Sequence, residues 1–226
     1  MNRLFRIILI SILIVGLWGT ARVQNRMVEL ESRIQDKLLN LSVLDSCGII
    51  TNGMGGGSCV AIAPDLILTA GHCIDIPDTW IEIQDIQYKI IEKWKSENSD
   101  VGFVRIEGQV PFLELGCIPK ILDKVYLIGS PYSKELKNTI TEGIISGLNR
   151  NILDRIGLTQ ADAEGAPGSS GGPLLNEEGR IIGICVTGPV PGGGVTLCES
   201  VDSIRLALEE YNAFCIGKTK ELPLGQ

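Results

Sequence analysis

Gly165-Ala-Pro-Gly-Ser-Ser-Gly-Gly-Pro-Leu-Leu175 is the stretch on which the reading of this chain turns. A serine set among glycines leaves its hydroxyl open to an approaching carbonyl carbon, because no neighbouring side chain blocks the way. Glycine ahead of the serine also lets backbone N–H groups turn inward to receive an oxyanion. The same letters suit a flexible turn with no chemistry. The rest of the chain decides between them.

Working outward, the first test is whether a base is available. His72 is the only histidine in the chain, and it follows a strand-like run, Leu66-Ile-Leu-Thr-Ala-Gly-His-Cys73. The small residues before it leave the ring room to reach a partner. A single histidine excludes a multi-histidine zinc site and leaves no competitor for the role of general base, so this chemistry calls for no metal and no cofactor. Such a base needs an acid to hold its tautomer. Asp100 ends the polar loop Ser96-Glu-Asn-Ser-Asp100 and opens the apolar run Val101–Ile106, which puts its carboxylate at a strand mouth. Asp75, Asp78 and Asp85 lie in turn-like sequence and read as solvated.

Chain order narrows the choice. Gly168-x-Ser170-x-Gly172 also fits the nucleophile elbow of α/β-hydrolases, but that arrangement needs a histidine after the serine, and none follows residue 72. An acid ahead of the histidine would have to be Asp36, Asp45 or Asp65, none at a strand mouth. The order His72, Asp100, Ser170 survives.

Composition sets the bounds. With 226 residues, 27 glycines and 21% charged residues, the chain suits an ordered, turn-rich fold with a sizeable core. A formal net charge of −7 and a pI near 4.9 argue against a nucleic-acid partner. At the N-terminus, Arg3 and Arg6 precede the apolar run Ile7–Trp18, followed by Gly19-Thr-Ala21. A basic start, a short apolar core and small residues at a cut site read as a secretory signal. The run is shorter than the roughly 20 apolar residues of a bilayer span, yet it continues unbroken into helix-like sequence. Residues 4–21 are therefore where the chain would meet a membrane, as a cleaved signal or a retained anchor. Either way the remainder is expected outside the cytoplasm, secreted, periplasmic or anchored. Seven cysteines suit that oxidising setting, and their odd number leaves at least one unpaired within the chain.

From Arg22 to about Leu44, apolar Met27, Leu30, Ile34, Leu38 and Leu41 recur at helical spacing. This segment is expected to be a spacer or a short oligomerising helix. After Cys47 the texture changes to short apolar runs broken by Gly, Pro, Asn and Asp. Strands are predicted at 58–63, 66–69, 80–83, 88–91, 101–106, 125–129, 139–141, 143–145, 180–186 and 195–197, a series that indicates packed barrels or a sandwich. A last helix is predicted from Asp202 or Ser203 through Phe214, with Gly217 beyond its end.

With these residues in place, the chain resembles trypsin/chymotrypsin-fold serine endopeptidases, most closely the compact bacterial type that includes the protease domain of HtrA (Deg) enzymes. Gly57-Ser-Cys-Val-Ala-Ile-Ala-Pro-Asp-Leu-Ile-Leu-Thr-Ala-Gly-His-Cys73 looks like the segment leading to that family's catalytic histidine. Asp100-Val-Gly-Phe-Val104 resembles its aspartate element, and Asp162–Leu174 its nucleophile loop. The resemblance implies an all-β fold of two packed six-stranded antiparallel β-barrels, with the triad His72, Asp100 and Ser170 in the cleft between them. It implies an oxyanion hole from the N–H groups of Gly168 and Ser170, and a disulfide between Cys59 and Cys73 closing the histidine loop; Cys47–Cys117 and Cys185–Cys198 are weaker pairings. Glu164, six residues before Ser170, falls where trypsin-like enzymes place the residue at the bottom of the P1 pocket. An acid there would favour Arg or Lys, whereas an HtrA-type loop path turns it to solvent, the reading favoured here.

The division implied is a signal or anchor at 1–21, a helical spacer at 22–45, barrels at 46–118 and 119–217, the second with the C-terminal helix, and a tail at 218–226. Protein or peptide substrates are the implied partners, with self-association through residues 22–44 as a further option. Two departures matter. Ser169 stands where trypsin-type zymogens carry an aspartate, so activation by clipping is not expected, and the segment after Ser170 is too short for an HtrA-type PDZ domain. Rival readings are a catalytically silent protease-fold binding module and an esterase on the same fold.

Overall fold

The computed structural model describes residues 24, 26–27, 42–132, 134–152, 155–187 and 194–221. The signal or anchor, most of the helical spacer and the end of the tail lie outside the described residues. The chain divides into Met1–Ser42 and Val43–Gln226. In the first unit Gln24, Arg26 and Met27 are helical; the second carries the fold.

Thirteen strands form two antiparallel sheets. The first runs β5(Ile86–Tyr88), β4(Trp80–Ile83), β1(Cys47–Thr51), β2(Gly56–Ala63), β3(Leu66–Ala70), β7(Val101–Ile106) and β6(Ile90–Lys95) in spatial order. The second closes into a barrel of β10(Arg155–Ala161), β13(Thr196–Ser200), β12(Ile181–Thr187), β11(Pro173–Leu175), β8(Lys124–Gly129) and β9(Thr139–Ile152). The all-β, two-part architecture is the one expected. Its first half is a seven-stranded sheet, because the run predicted at 88–91 breaks at Lys89 into two strands on opposite edges.

Burial explains which strands are central. Every residue of β3 is buried, as are five of the six in β7. A strand hidden on both faces reads as continuous apolar sequence and not as alternation. Their register pairs Ala70 with Val101, so the residues just after β3 meet those just before β7. His72 and Asp100 sit at that junction.

The C-terminal helix, Val201–Glu221, starts at β13 and packs on the first sheet. Ser200, not Asp202 or Ser203, caps it: its Oγ accepts the Ser203 N–H at 3.2 Å. Gly217 lies within the helix and does not end it. The anchor is Tyr211, 1% exposed, whose ring lies 5.6 Å from Trp94 and 5.4 Å from Phe103. Burial of that ring and its aromatic contacts stabilise the docking by roughly 2–4 kcal/mol. Among the described residues no helix is long and apolar enough to cross a membrane.

Candidate active site

β3 ends at Ala70 and the chain enters one helical turn, Gly71–Ile74, that carries His72. Gly71 donates its N–H to Asp100 O at 2.9 Å, and a Cβ there would stand 3.0 Å from Asp100 Oδ1. Any side chain there would press on the Asp100 carboxylate, so glycine suits this close approach. Both carboxylate oxygens of Asp100 then face the histidine: Oδ1 accepts the His72 backbone N–H at 2.8 Å and Oδ2 accepts Nδ1–H at 2.7 Å. An ionised carboxylate can only accept, so Nδ1 carries the proton and Nε2 is left with its lone pair.

The pair is asymmetric in solvation, with the His72 side chain 45% exposed and that of Asp100 12%. The hydrogen bond to Asp100, followed by that to Cys73, raises the imidazole pKa above its ordinary value despite partial burial. Burial works to raise the Asp100 carboxyl. The His72 hydrogen bond and charge, with Arg155, more than offset it, so Asp100 stays ionised below the usual carboxylate range.

Ser170 is positioned by backbone bonds. Its carbonyl accepts the Ser58 N–H at 2.7 Å and, more weakly, the Cys73 thiol at 3.8 Å. Ser58 and Cys73 belong to the first sheet and to the histidine's own helical turn, so these bonds seat the serine turn beside the base. Ser169 N–H bonds Ala166 O, Gly171 N–H bonds Cys185 O, and Gly172 N–H bonds Ser169 O. Ser58 Oγ donates to Gly168 O at 2.8 Å and accepts the Ser130 N–H at 2.8 Å. Gly168 has φ at +100°, in the region that favours glycine, with its carbonyl tied to Ser58. Among the described residues, neither the Gly168 nor the Ser170 N–H meets an internal acceptor. No hydrogen bond links Ser170 Oγ to the imidazole in this resting geometry, which is common before substrate tightens such a site.

Two cavities flank the serine turn. One of about 350 Å³ is lined by Gly57, Gly168, Met54, Trp80, Glu82 and Tyr132. The other, of about 180 Å³, is lined by Thr139, Thr141, Glu164, Ala166 and Ser169 among others. Glu164 is exposed at its wall, and its carbonyl accepts the Thr141 hydroxyl at 2.9 Å. Ser169 is 3% exposed, with its Oγ 3.3 Å from the Ala166 N–H.

Residues 57–184, which hold His72, Asp100 and Ser170, match the trypsin-like peptidase domain family. The chain belongs to the trypsin-like peptidase family. Over 210 residues, 80% of this chain and 46% of the relative, it is 28% identical to the putative protease Do-like 14 of Arabidopsis thaliana. It is 32% identical to a probable periplasmic serine protease do/HhoA-like of Haemophilus influenzae, over 63% of this chain and 32% of that one. The chain spans less than half the length of the curated relatives it matches. The crystal structure of the serine endoprotease from Yersinia pestis superposes with a TM-score of 0.67 at 24% identity, covering 77% of this chain and 65% of that one, which establishes the shared fold.

As a trypsin-like peptidase, this chain departs from the expected disulfide. Cys59 and Cys73 are both buried, unbridged thiols. The residue that faces Cys73 is Gly57, where a Cβ would come within 2.5 Å of Cys73 Sγ. Cys59 lies two residues farther along β2, paired with Thr69. Cys47 and Cys117 are likewise unbridged; Cys185 and Cys198 are opposed across β12 and β13 without a bridge. Sequence reasoning also missed Ser58, Arg155 and Glu199. Ser58 followed a glycine at the head of a predicted strand, and nothing in the one-dimensional pattern marks a hydroxyl that bonds across 110 residues.

Proposed function

We propose that the chain is a serine-type endopeptidase that cleaves protein substrates through an acyl-enzyme. The observation that carries this reading is the doubly hydrogen-bonded His72–Asp100 pair beside a serine turn whose Gly168 and Ser170 amides are unengaged. Ser170 Oγ attacks the scissile carbonyl carbon as its proton passes to His72 Nε2. The carbonyl oxygen takes the negative charge and is received by the two amides. His72 then gives the proton to the leaving amine, the C–N bond breaks, and the acyl group remains on Ser170 as an ester. His72 takes a proton from a water as its oxygen attacks that ester, and then gives the proton to the departing Ser170 oxygen, freeing the acid product. Asp100 stays ionised throughout, holding Nδ1–H and balancing the imidazolium.

The peptidase descriptions of the Arabidopsis and Haemophilus relatives support this reading. The periplasmic description of the latter, with the basic and apolar leader of this chain, supports placement outside the cytoplasm. A fluorophosphonate probe is expected to label the wild type and not Ser170→Ala, with loss of hydrolysis of roughly 10⁶-fold. An unlabelled, inactive wild type would leave a silent binding module as the answer. Faster turnover of a simple ester with no cleavage of an unfolded protein would point to an esterase.

A further inference from the structure

Asp100 is gripped from the second barrel as well as from the first sheet. Its Oδ2, which accepts His72 Nδ1–H at 2.7 Å, also accepts Nη2 of Arg155 at 2.9 Å. Nη1 of the same guanidinium donates to Val186 O at 3.1 Å, so the planar fork is fixed at both tips. Glu199 on β13, 2% exposed, accepts the Asp100 N–H through Oε1 at 3.0 Å. A second cation therefore stands on the oxygen that stabilises the imidazolium.

We propose that Arg155 is a positioning residue that sets the basicity of His72 by sharing Asp100 Oδ2 with it. The inference rests on the reading of His72 as the general base. An imidazolium gains stability from the negative charge on Oδ2. A guanidinium on the same oxygen takes up part of that charge and repels the neighbouring cation. Both effects favour the neutral ring, the form that accepts the Ser170 proton. Arg155 thus tempers a pair that, left alone, would hold its proton to higher pH. Glu199 acts in the opposite sense when ionised; burial, followed by other effects that include the Asp100 charge, raises its pKa and favours its neutral form. Cys73 also bears on the ring: besides its weak bond to Ser170 O, its hydrogen bond to His72 raises the imidazole pKa, in the wild type and in the Arg155 variants alike. The nearby lysines have partners of their own. From β6, Lys93 bonds the carbonyls of Ile74 and Ile76, and Lys95 pairs with Asp75.

One histidine makes the test direct, because every imidazole NMR resonance of the full chain comes from His72. The titration is followed in wild type, Arg155→Gln and Arg155→Lys, alongside the pH profile of kcat/KM. Arg155→Gln is expected to raise the His72 midpoint by about one pH unit and to move the acid limb of kcat/KM upward equally, with the high-pH plateau nearly unchanged. Arg155→Lys keeps the charge but not the fork; it gives a smaller rise of the same sign and decides the matter should Arg155→Gln not fold. An unchanged or lowered midpoint in the folded variants overturns the proposal. Because the midpoint is read without turnover, a shifted midpoint in a wild type that cleaves nothing would sink the peptidase reading and leave the Arg155–Asp100 coupling standing.

Discussion

In the first sheet, His72 and Asp100 are fixed by side-chain bonds and by the register of β3 against β7. In the second barrel, Ser170 is fixed by backbone bonds within a turn of small residues. Under the proposed mechanism the difference follows from what each group must do. A base needs one ring orientation and one tautomer, which a carboxylate with two engaged oxygens supplies. A nucleophile needs an open approach, so its support comes from the main chain and the side chains around it are stripped away. Among the links between the halves, Ser58 reaches from the sheet to Gly168, while Arg155 and Glu199 reach from the barrel to Asp100.

The comparison breaks most sharply at the acid. Asp100→Asn should lower kcat by about 10⁴-fold, since an amide facing Nδ1 no longer enforces the tautomer. It should also change the pH profile. Pairing with Asp100 raises the His72 pKa, so in the wild type the base is freed only as pH climbs above the ordinary imidazole range. With the carboxylate gone, the residual activity of Asp100→Asn should rise at lower pH. A wild-type acid limb below that of the variant would contradict the pairing.

On the barrel side the expected effect is structural. Gly171 has φ +87°, and a Cβ there would collide with Ser58 O and Thr69 Oγ1 and come within 2.8 Å of Ala70 N. Gly171→Ala should cost about 2–5 kcal/mol in denaturant unfolding, from left-handed strain and overpacking together. An equally stable variant would mean that the turn is not held as tightly as the base. The smallest effect is expected at the link. Ser58→Ala strands the Gly168 carbonyl and the Ser130 N–H, at about 1–3 kcal/mol of stability. Because Gly168 loses its tether, kcat should fall more than KM rises, which steady-state kinetics would resolve.

Sequence made the three chemical residues legible because access leaves a mark: glycines around Ser170, small residues before His72, a polar-to-apolar switch at Asp100. The strands buried on both faces, β3 and β7, were legible for a related reason, being unbroken apolar runs. What escaped was set by partners far along the chain. β10 reads Arg155-Ile-Gly-Leu-Thr-Gln-Ala161, where a glycine and polar residues break up the apolar pattern. Arg155 and Glu199 carry charges that would be taken for solvated ones, and only the closure of the barrel brings them to Asp100. β9 was read as two strands because Glu142-Gly143 interrupts its apolar pattern, yet Gly143 is where the Asp162–Ala163 segment crosses too closely for any side chain. The Cys59–Cys73 bridge implied by the resemblance is not formed, with both thiols free and Gly57 lying against Cys73 Sγ.

The contact between Gly57 and Cys73 carries a mechanical consequence. The turn bearing His72 is held at its start by the Gly71 N–H on Asp100 O and, one residue past His72, by the Cys73 thiol on Ser170 O. Any side chain at residue 57 would press on Cys73 Sγ and on Ser170 O together, so one substitution there would disturb the seats of His72 and Ser170 at once.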